Sequence, residues 1–263
     1  MKVLFIGDIV GNAGRKALRE TLPHLKQKYN PSIIIANGEN AAAGRGITKA
    51  IAWDFFNWGV HGLTMGNHTW DNKDIFEFID DEPRIVRPAN FPEGAPGRGH
   101  TLIKANGKEL FIINLQGRTF LPPIDCPFTK VDWILEDHAE HKCVLVDLHA
   151  ETTSEKIAMG WYLDGRVSAV VGTHTHVQTN DNLILPQGTA YVTDVGMTGP
   201  RDGVLGMERN AVLQKFITQM PVRFTVSEGS WHFHAVLIEM DESTGASKSI
   251  QLIRMNEEDL LLI

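Results

Sequence analysis

The sequence predicts an α/β fold in which two β-sheets pack face to face with helices outside. Apolar strand-like segments alternate with helical segments through most of the chain, which is the pattern of parallel βα units. The last third instead holds a series of short strands, which adds antiparallel character. The 263 residues contain no internal repeat, low-complexity tract or interdomain linker, so we expect one domain over residues 1–263.

The first part of the chain carries the plainest helix signals. Apolar residues at helical spacing predict a helix over 14–29. Thr48 and Gly59 bracket a second predicted helix, the first as its N-cap and the second as its terminator. An acidic helix is predicted from 71 or 72 to 79. Between these helices we expect strands at 2–7, 32–36 and 63–65.

The remainder of the chain is richer in turns. Residues 83–100 combine Pro, Gly and Arg without periodicity and predict a long ordered loop. Asn106 and Gly107 lie between two apolar runs, which predicts a β-hairpin. Further helices are expected at 129–140, from 153 or 154 onward and at 208–219, and further strands at 143–146, 168–172, 183–185, 190–193, 222–226, 231–240 and 249–254.

Charge and cysteine content narrow the class of protein. The net charge of −7, from 25 basic and 32 acidic residues, argues against an extended nucleic-acid or anionic-membrane surface but allows a small phosphorylated ligand held by metals. The two cysteines form no C-x-x-C pair, which favours a reducing, cytoplasmic compartment. No apolar run approaches the length of a membrane helix, so we expect neither secretion nor a membrane span.

Residues that can bind metals follow several predicted strands. His174-Thr175-His176 comes directly after the apolar run 168–173. In an extended backbone the side chains of residues i and i+2 point the same way, so both imidazoles can face one point. Neutral imidazole is a common ligand of zinc, iron and manganese. Similar positions are taken by Gly7-Asp8, Gly38-Glu39-Asn40, Gly66-Asn67-His68 and Asp147-Leu148-His149.

These residues together favour a metal site, although each alone has a simpler explanation. Asp8 can cap a helix, Glu39 can lie in a solvated turn, and His149 can be an ordinary buried histidine. The carboxyl ends of strands meet at one edge of an α/β sheet, however, where ligands collect. The set suits two divalent ions, because it offers carboxylate, carboxamide and imidazole ligands and no thiolate. Glu39 can bridge two ions at roughly 3.5–4 Å, and Asn40 can add its carboxamide oxygen.

Two other groups of aromatic residues are assigned no function. His232 and His234 also have the i, i+2 spacing, but they lie inside an alternating strand, which predicts a solvent-facing sheet surface. The cluster of Trp53, Phe55, Phe56 and Trp58 is predicted to be core.

The motifs resemble those of the YmdB-type phosphodiesterases of the calcineurin-like metallophosphoesterase superfamily. The resemblance covers nearly the whole chain. The superfamily usually has a histidine where this sequence has Val10 and a bridging aspartate where it has Glu39, and the YmdB-type group shares both departures, so Asn40 stands in for the missing histidine. The motifs that carry the resemblance are Gly7-Asp8-Ile9-Val10-Gly11, Asn37-Gly38-Glu39-Asn40-Ala41-Ala42, Gly66-Asn67-His68-Thr69-Trp70-Asp71, Arg87-Pro88-Ala89-Asn90-Phe91-Pro92, Asn114-Leu115-Gln116-Gly117-Arg118 and Gly172-Thr173-His174-Thr175-His176.

The resemblance implies a fold, a reaction and a ligand set. The fold is a four-layer α/β/β/α sandwich of two mixed sheets flanked by helices. The reaction is hydrolysis of 2′,3′-cyclic nucleotides, with 2′,3′-cyclic AMP giving 3′-AMP, and the substrate is a small molecule. Iron or manganese is the expected metal, and zinc is admitted by the ligand types. Metal 1 would be held by Asp8, Glu39, Asn40 and His176, and metal 2 by Glu39, Asn67, His149 and His174.

The same resemblance supports a hypothesis for the mechanism. Two cations would lower the pKa of a shared water, and the resulting hydroxide would attack phosphorus in line with the leaving 2′-oxygen. His68 directly follows Asn67, so we expect it to act as the general acid, with a hydrogen bond to phosphate as its alternative role. Arg118 and the loop over 198–206 are candidates for base recognition.

Other functions stay open at this point. A phosphoprotein phosphatase or a broad phosphodiesterase would use the same residues on another substrate. A regulatory RNA- or protein-binding protein would use metals only to organise loops. A nuclease is disfavoured because the sequence offers no basic aromatic groove. We expect no membrane or extended nucleic-acid partner, and a homo-oligomer is admitted.

Overall fold

The computed structural model describes residues 1–262 and consists of two β-sheets with helices on their outer faces. The strands are β1 (Lys2–Ile6), β2 (Asp8–Ile9), β3 (Ile33–Asn37), β4 (Gly62–Thr64), β5 (Ile85–Val86), β6 (His100–Ala105), β7 (Lys108–Gln116), β8 (Val144–His149), β9 (Ala169–Thr173), β10 (Leu183–Ile184), β11 (Ala190–Val192), β12 (Met197–Pro200), β13 (Trp231–Met240) and β14 (Ser247–Asn256). The helices are α1 (Gly11–Tyr29), α2 (Lys49–Trp58), α3 (Pro127–Asp137), α4 (Thr153–Tyr162) and α5 (Arg209–Thr218), with 3₁₀ helices at Lys73–Glu77 and Glu257–Leu262.

Both sheets are mixed. In the first, β1, β3, β4 and β5 run parallel, while β13 pairs antiparallel with β1. Strand β14 pairs with one edge of β13, and β12 and β1 pair with different parts of its other edge. In the second sheet the order is β10-β11-β9-β8-β7-β6, with parallel central strands and antiparallel edges.

Side-chain alternation along the strands builds three apolar layers. On β1, Val3 and Phe5 point to the other sheet, whereas Leu4 and Ile6 pack under α1 and α2. Strand β7 alternates in the same way between the space separating the sheets and the layer beneath α3 and α4. The predicted four-layer α/β/β/α sandwich is therefore confirmed.

Several local predictions are confirmed. The Thr48 hydroxyl accepts a hydrogen bond from the Ile51 amide, so it caps α2, and Gly59 ends that helix at φ +98°. Asn106 and Gly107 both have positive φ between β6 and β7, as a tight hairpin turn requires.

Other local predictions are wrong. The segment 222–226 forms no strand, because only Val226 makes an isolated bridge, to Met207. The acidic helix predicted over 71–79 is a five-residue 3₁₀ turn capped by Asn72. The core prediction for the aromatic cluster fails at Trp53, which has 36% of its area exposed, whereas Phe55 is buried in the core and Phe56 and Trp58 pack against it.

His232 and His234 also depart from the prediction, since they do not face solvent. Strand β13 has neighbours on both sides, and the two half-buried imidazoles lie on the same face as Val236, which packs between the sheets. Their rings stack at 4.3 Å. Burial lowers the pKa of His234 to about 3, so it is neutral at physiological pH.

No helix within residues 1–262 is long and apolar enough to cross a membrane.

Candidate metal centre

The predicted metal ligands meet where the carboxyl ends of strands from both sheets come together. Asp8 begins β2, directly after β1, and His149 ends β8. The remaining ligands lie in the turns that follow β3, β4 and β9. Strand β8 runs three residues farther than predicted, so Asp147 and His149 lie inside it and are fully buried. The fold thus brings residues from five separate segments to one place between the two sheets, which we call the seam.

One half of the cluster surrounds His149. Its Nε2 lies 2.9 Å from Asn67 Oδ1, 3.2 Å from Glu39 Oε1 and 3.0 Å from His174 Nδ1. One ligand atom each of Glu39, His149 and His174 lies within 4.8 Å of the others, which is a separation that one cation can span.

The other half surrounds His176. Its Nε2 lies 3.9 Å from Asp8 Oδ1 and 3.2 Å from Asn40 Nδ2. The Asn40 amide also donates to Glu39 Oε1 at 3.0 Å, so Glu39 contacts both halves. Asp8 Oδ2 accepts from the His174 amide at 3.2 Å, whereas Oδ1 is buried without a hydrogen-bond partner among residues 1–262. A buried carboxylate oxygen without a partner is costly, and a cation would satisfy it.

In its neutral form, each of the three imidazoles presents a nitrogen without a proton to the cluster. Thr173 donates its hydroxyl proton to Asp147 at 2.8 Å and must therefore accept from His149 Nδ1 at 2.9 Å. His174 Nε2 lies 2.9 Å from a Glu151 carboxylate oxygen. His176 Nδ1 donates to a backbone carbonyl at 3.0 Å. Outer partners of this kind fix the tautomer and orient the ligand nitrogen toward a metal.

The electrostatics of the cluster favour a positive charge. Burial lowers the pKa of His149, but the carboxylates of Glu39 and Asp8 outweigh it and raise that pKa to about 9. Burial and the neighbouring His149 lower the pKa of His174 to about 3. The two adjacent imidazoles thus share one positive charge, and a metal ion would compete with that proton for the same nitrogens.

The turn that carries His174 and His176 is not extended as the sequence suggested. These residues have φ of +100° and +66°, a left-handed conformation that non-glycine residues rarely adopt. The imidazoles therefore converge through a strained turn rather than through strand alternation.

A buried ion pair holds this turn. Asp194 accepts from the amide and hydroxyl of Thr175 at 3.1 and 2.8 Å and from Lys156 Nζ at 2.6 Å. Both charged groups are buried, so removing either would leave the other unpaired in the interior. Gly172 is required at the end of β9, because a Cβ there would clash with the backbone carbonyl of Thr193 and would also lie 2.9 Å from Lys156 Cδ.

His68 lies at the open side of the cluster. Its Nδ1 lies 2.8 Å from Asn40 Oδ1, and its amide donates to Glu39 Oε2 at 2.9 Å. The side chain is 27% exposed. Hydrogen bonding fixes Nδ1 against the cluster and leaves Nε2 available to a substrate.

Arg118 does not join the cluster. Its guanidinium contacts Cys126 Sγ at 3.4 Å, and its amide donates to Glu155. The adjacent Gly117 amide donates to the His149 carbonyl, so this turn nevertheless lies next to a candidate ligand. Within the 198–206 loop, Leu205 supplies the carbonyl that orients His176.

Sequence reasoning missed the residues that orient the ligands. They are Asp147, Glu151, Lys156, Thr173 and Asp194. Of these residues, Asp147 could have been recognised from the sequence, because it is a charged residue inside an apolar strand. A charged residue in that position needs a buried partner.

Comparisons with known proteins extend over the whole chain. A family model described as "YmdB-like protein" matches residues 4–253. The chain is 57% identical over 261 residues to the 2′,3′-cyclic-nucleotide 2′-phosphodiesterase of Bacillus subtilis (strain 168), with 99% of each chain covered. A solved structure described as a novel phosphatase from Mycoplasma pneumoniae is 33% identical, with a TM-score of 0.93 and 100% of this chain and 96% of that one covered. A hypothetical protein from Thermus thermophilus is 41% identical, with a TM-score of 0.92 and coverage of 98% and 100%.

Replacing Thr173 by Val should weaken metal binding about 10- to 100-fold, because His149 loses the partner that fixes its tautomer. Calorimetric titration with Mn²⁺ would measure the affinity. Thr173→Ser keeps the hydroxyl and serves as the matched control. Unchanged affinity in the valine variant would show that the Asp147–Thr173–His149 chain does not orient the ligand.

Proposed function

This chain belongs to the YmdB-like protein family, and we propose that it is a metal-dependent phosphodiesterase that hydrolyses 2′,3′-cyclic nucleotides, converting 2′,3′-cyclic AMP to 3′-AMP. The Bacillus subtilis relative bears the name of that activity. The observation that carries the proposal is the convergence of three oriented imidazoles on a seam that also holds an unpartnered carboxylate oxygen of Asp8. Such a donor set suits metal-assisted attack on a phosphoester.

The residues fit two metal ions. Glu39 is the bridge, because its carboxylate contacts both His149 and Asn40. When bound, such ions lower the pKa of a water molecule and neutralise phosphate oxygens. Iron is the metal we expect first because the family resemblance implies it, and the oxygen and nitrogen ligands also admit manganese or zinc. Metal 1 is assigned to Asp8, Glu39, Asn40 and His176, and metal 2 to Glu39, Asn67, His149 and His174.

His68 is the general acid of the proposed reaction. Its Nδ1 donates to Asn40 Oδ1, so the ring must carry a proton on both nitrogens for Nε2 to give one to the leaving 2′-oxygen. As the bond from phosphorus to that oxygen breaks, a water oxygen becomes bonded to phosphorus. The product then has a 2′-hydroxyl and a 3′-phosphate. The partial exposure of His68 allows a bound ester to reach it.

A substrate panel tests the proposed activity. Protein reconstituted with iron or manganese should hydrolyse 2′,3′-cyclic AMP to 3′-AMP in preference to 3′,5′-cyclic AMP, a phosphopeptide and RNA. Product identity by chromatography checks which bond breaks. Preference for the phosphopeptide would support a phosphoprotein phosphatase instead. No turnover by protein that holds two metals would support a regulatory binding role.

His68→Ala should keep both metals but lower kcat by about 10²- to 10⁴-fold, the usual contribution of a general acid. Steady-state kinetics and metal analysis of the same sample would check both parts. His24→Ala, on α1, is the matched control and should be active. Near-normal turnover by His68→Ala would rule out the acid role.

Glu39→Gln should lose metal and activity together, because the bridge loses its negative charge while keeping its shape. Elemental analysis by mass spectrometry would count the bound ions. Glu77→Gln makes the same change at an exposed position and should retain both. Two metals bound to the Glu39 variant with unchanged affinity would contradict the bridging assignment.

A further inference from the structure

A groove of about 940 Å³ opens beside the candidate metal centre. One wall is formed by the turn at 42–45 and by Asp71 and Asn72, and the other by Met207, Lys215 and the segment 221–226. Sites for small ligands typically measure about 300–1,000 Å³, so this groove lies at the upper end of that range. It has room for more than the ring and phosphate that the metal centre would engage.

The groove is continuous with the turns that hold the candidate ligands. Ala42 lines it two residues after Asn40. On the opposite side His176 donates to the Leu205 carbonyl, and Met207 lines the groove two residues later. The groove therefore begins within two residues of Asn40 and within two residues of the Leu205 carbonyl that orients His176.

The charge of the groove is opposite to that of the chain. Arg45, Lys215 and Arg223 line it with a single carboxylate, Asp71, whereas the chain as a whole carries −7. Arg45 lies 3.5 Å from Asp71, and Arg223 has neither an ion pair nor a side-chain hydrogen bond within residues 1–262. A net positive groove beside a phosphoesterase site attracts further phosphate groups.

An aromatic ring lies among these cations. Phe224 lines the same groove and keeps 43% of its surface exposed. Cationic side chains interleaved with an exposed aromatic ring are how proteins hold single-stranded nucleic acid, since phosphates pair with the cations and bases stack on the ring.

We propose that the substrate class of this site extends to short oligoribonucleotides that end in a 2′,3′-cyclic phosphate, with the preceding nucleotide lying in the groove. This inference rests on the proposed function. The terminal ribose presents its cyclic phosphate at the metal centre, and its 5′-oxygen carries the rest of the chain. Water adds to phosphorus, the bond to the 2′-oxygen breaks, that oxygen gains a proton, and the RNA is left with a 3′-phosphate.

The groove fits the end of a strand rather than a long one. Three cations line this groove, Arg223 also lines the neighbouring cavity at Lys16, and the net negative charge of the chain would repel phosphates farther along a strand. Arg45 is far in the sequence from Lys215 and Arg223, so only the fold brings the three cations together.

The test compares kcat/KM for 2′,3′-cyclic AMP with that for the dinucleotide ApA bearing a 2′,3′-cyclic phosphate. The metal-loaded protein should prefer the dinucleotide about tenfold. Phe224→Ala should lower that preference by about fivefold or more, the lower end of what one stacked base contributes. For the dinucleotide, the logarithm of kcat/KM should fall linearly with the logarithm of salt concentration. Arg223→Gln should make that slope shallower by about 0.7, because one phosphate contact is lost.

Lys28→Gln is the matched charge control, because it removes a cation near the far end of α1. Equal kcat/KM for the two wild-type substrates, or a Phe224 variant that lowers both equally, would overturn the inference. Failure of the proposed function is distinguishable, since the wild-type protein with two metals would then hydrolyse neither substrate. Circular dichroism of Phe224→Ala confirms that the variant is folded.

Discussion

The rest of the site depends on the negative charge of two buried carboxylates that lie between the two sheets. Asp8 and Glu39 are inaccessible to solvent, and no lysine or arginine within residues 1–262 forms an ion pair with either. Buried negative charge without compensation is strongly unfavourable, so these groups require cations close by. Histidines fill the surroundings, and their outer hydrogen bonds turn one ring nitrogen of each toward the carboxylates. A metal ion would compensate the buried negative charge, which would explain why the fold tolerates it.

Much of the centre could be predicted because its residues follow a local rule. A polar side chain just after an apolar strand lies at the sheet edge whatever the remaining fold, so Asp8, Glu39 and Asn67 were recognisable from sequence alone. The left-handed turn at His174 was not, since the pattern His-x-His after a strand is equally compatible with continued extension. Its conformation depends on Asp194, which lies on a different loop and is joined to it only by tertiary contacts.

The fold shows the same difference between features set by neighbouring residues and features set by tertiary contacts. Alternation and caps predicted α2 and the β6–β7 hairpin because both are decided by neighbouring residues. His232 and His234 were misplaced because their alternation is that of a half-exposed strand, whereas the face of β13 that carries them lies toward the second sheet. The groove was not predicted for a related reason: one of its cations lies in the turn at 42–45, one on α5 and one in the segment 221–226, and no stretch of the sequence is locally basic.

The central place of β13 has a consequence for biosynthesis. Strand β1 lies between β3 and β13, and the amide of Gly7, next to Asp8, donates to the His234 carbonyl at 3.0 Å. Strand β1 therefore obtains its second neighbour, β13, only after more than two hundred further residues are made. Pairings so distant in sequence slow folding. Until β13 and β14 emerge, one edge of β1 is open to solvent and to other nascent chains, and Asp8 lacks its final position. A metal ion held by Asp8 would therefore be bound only after β13 has been synthesised.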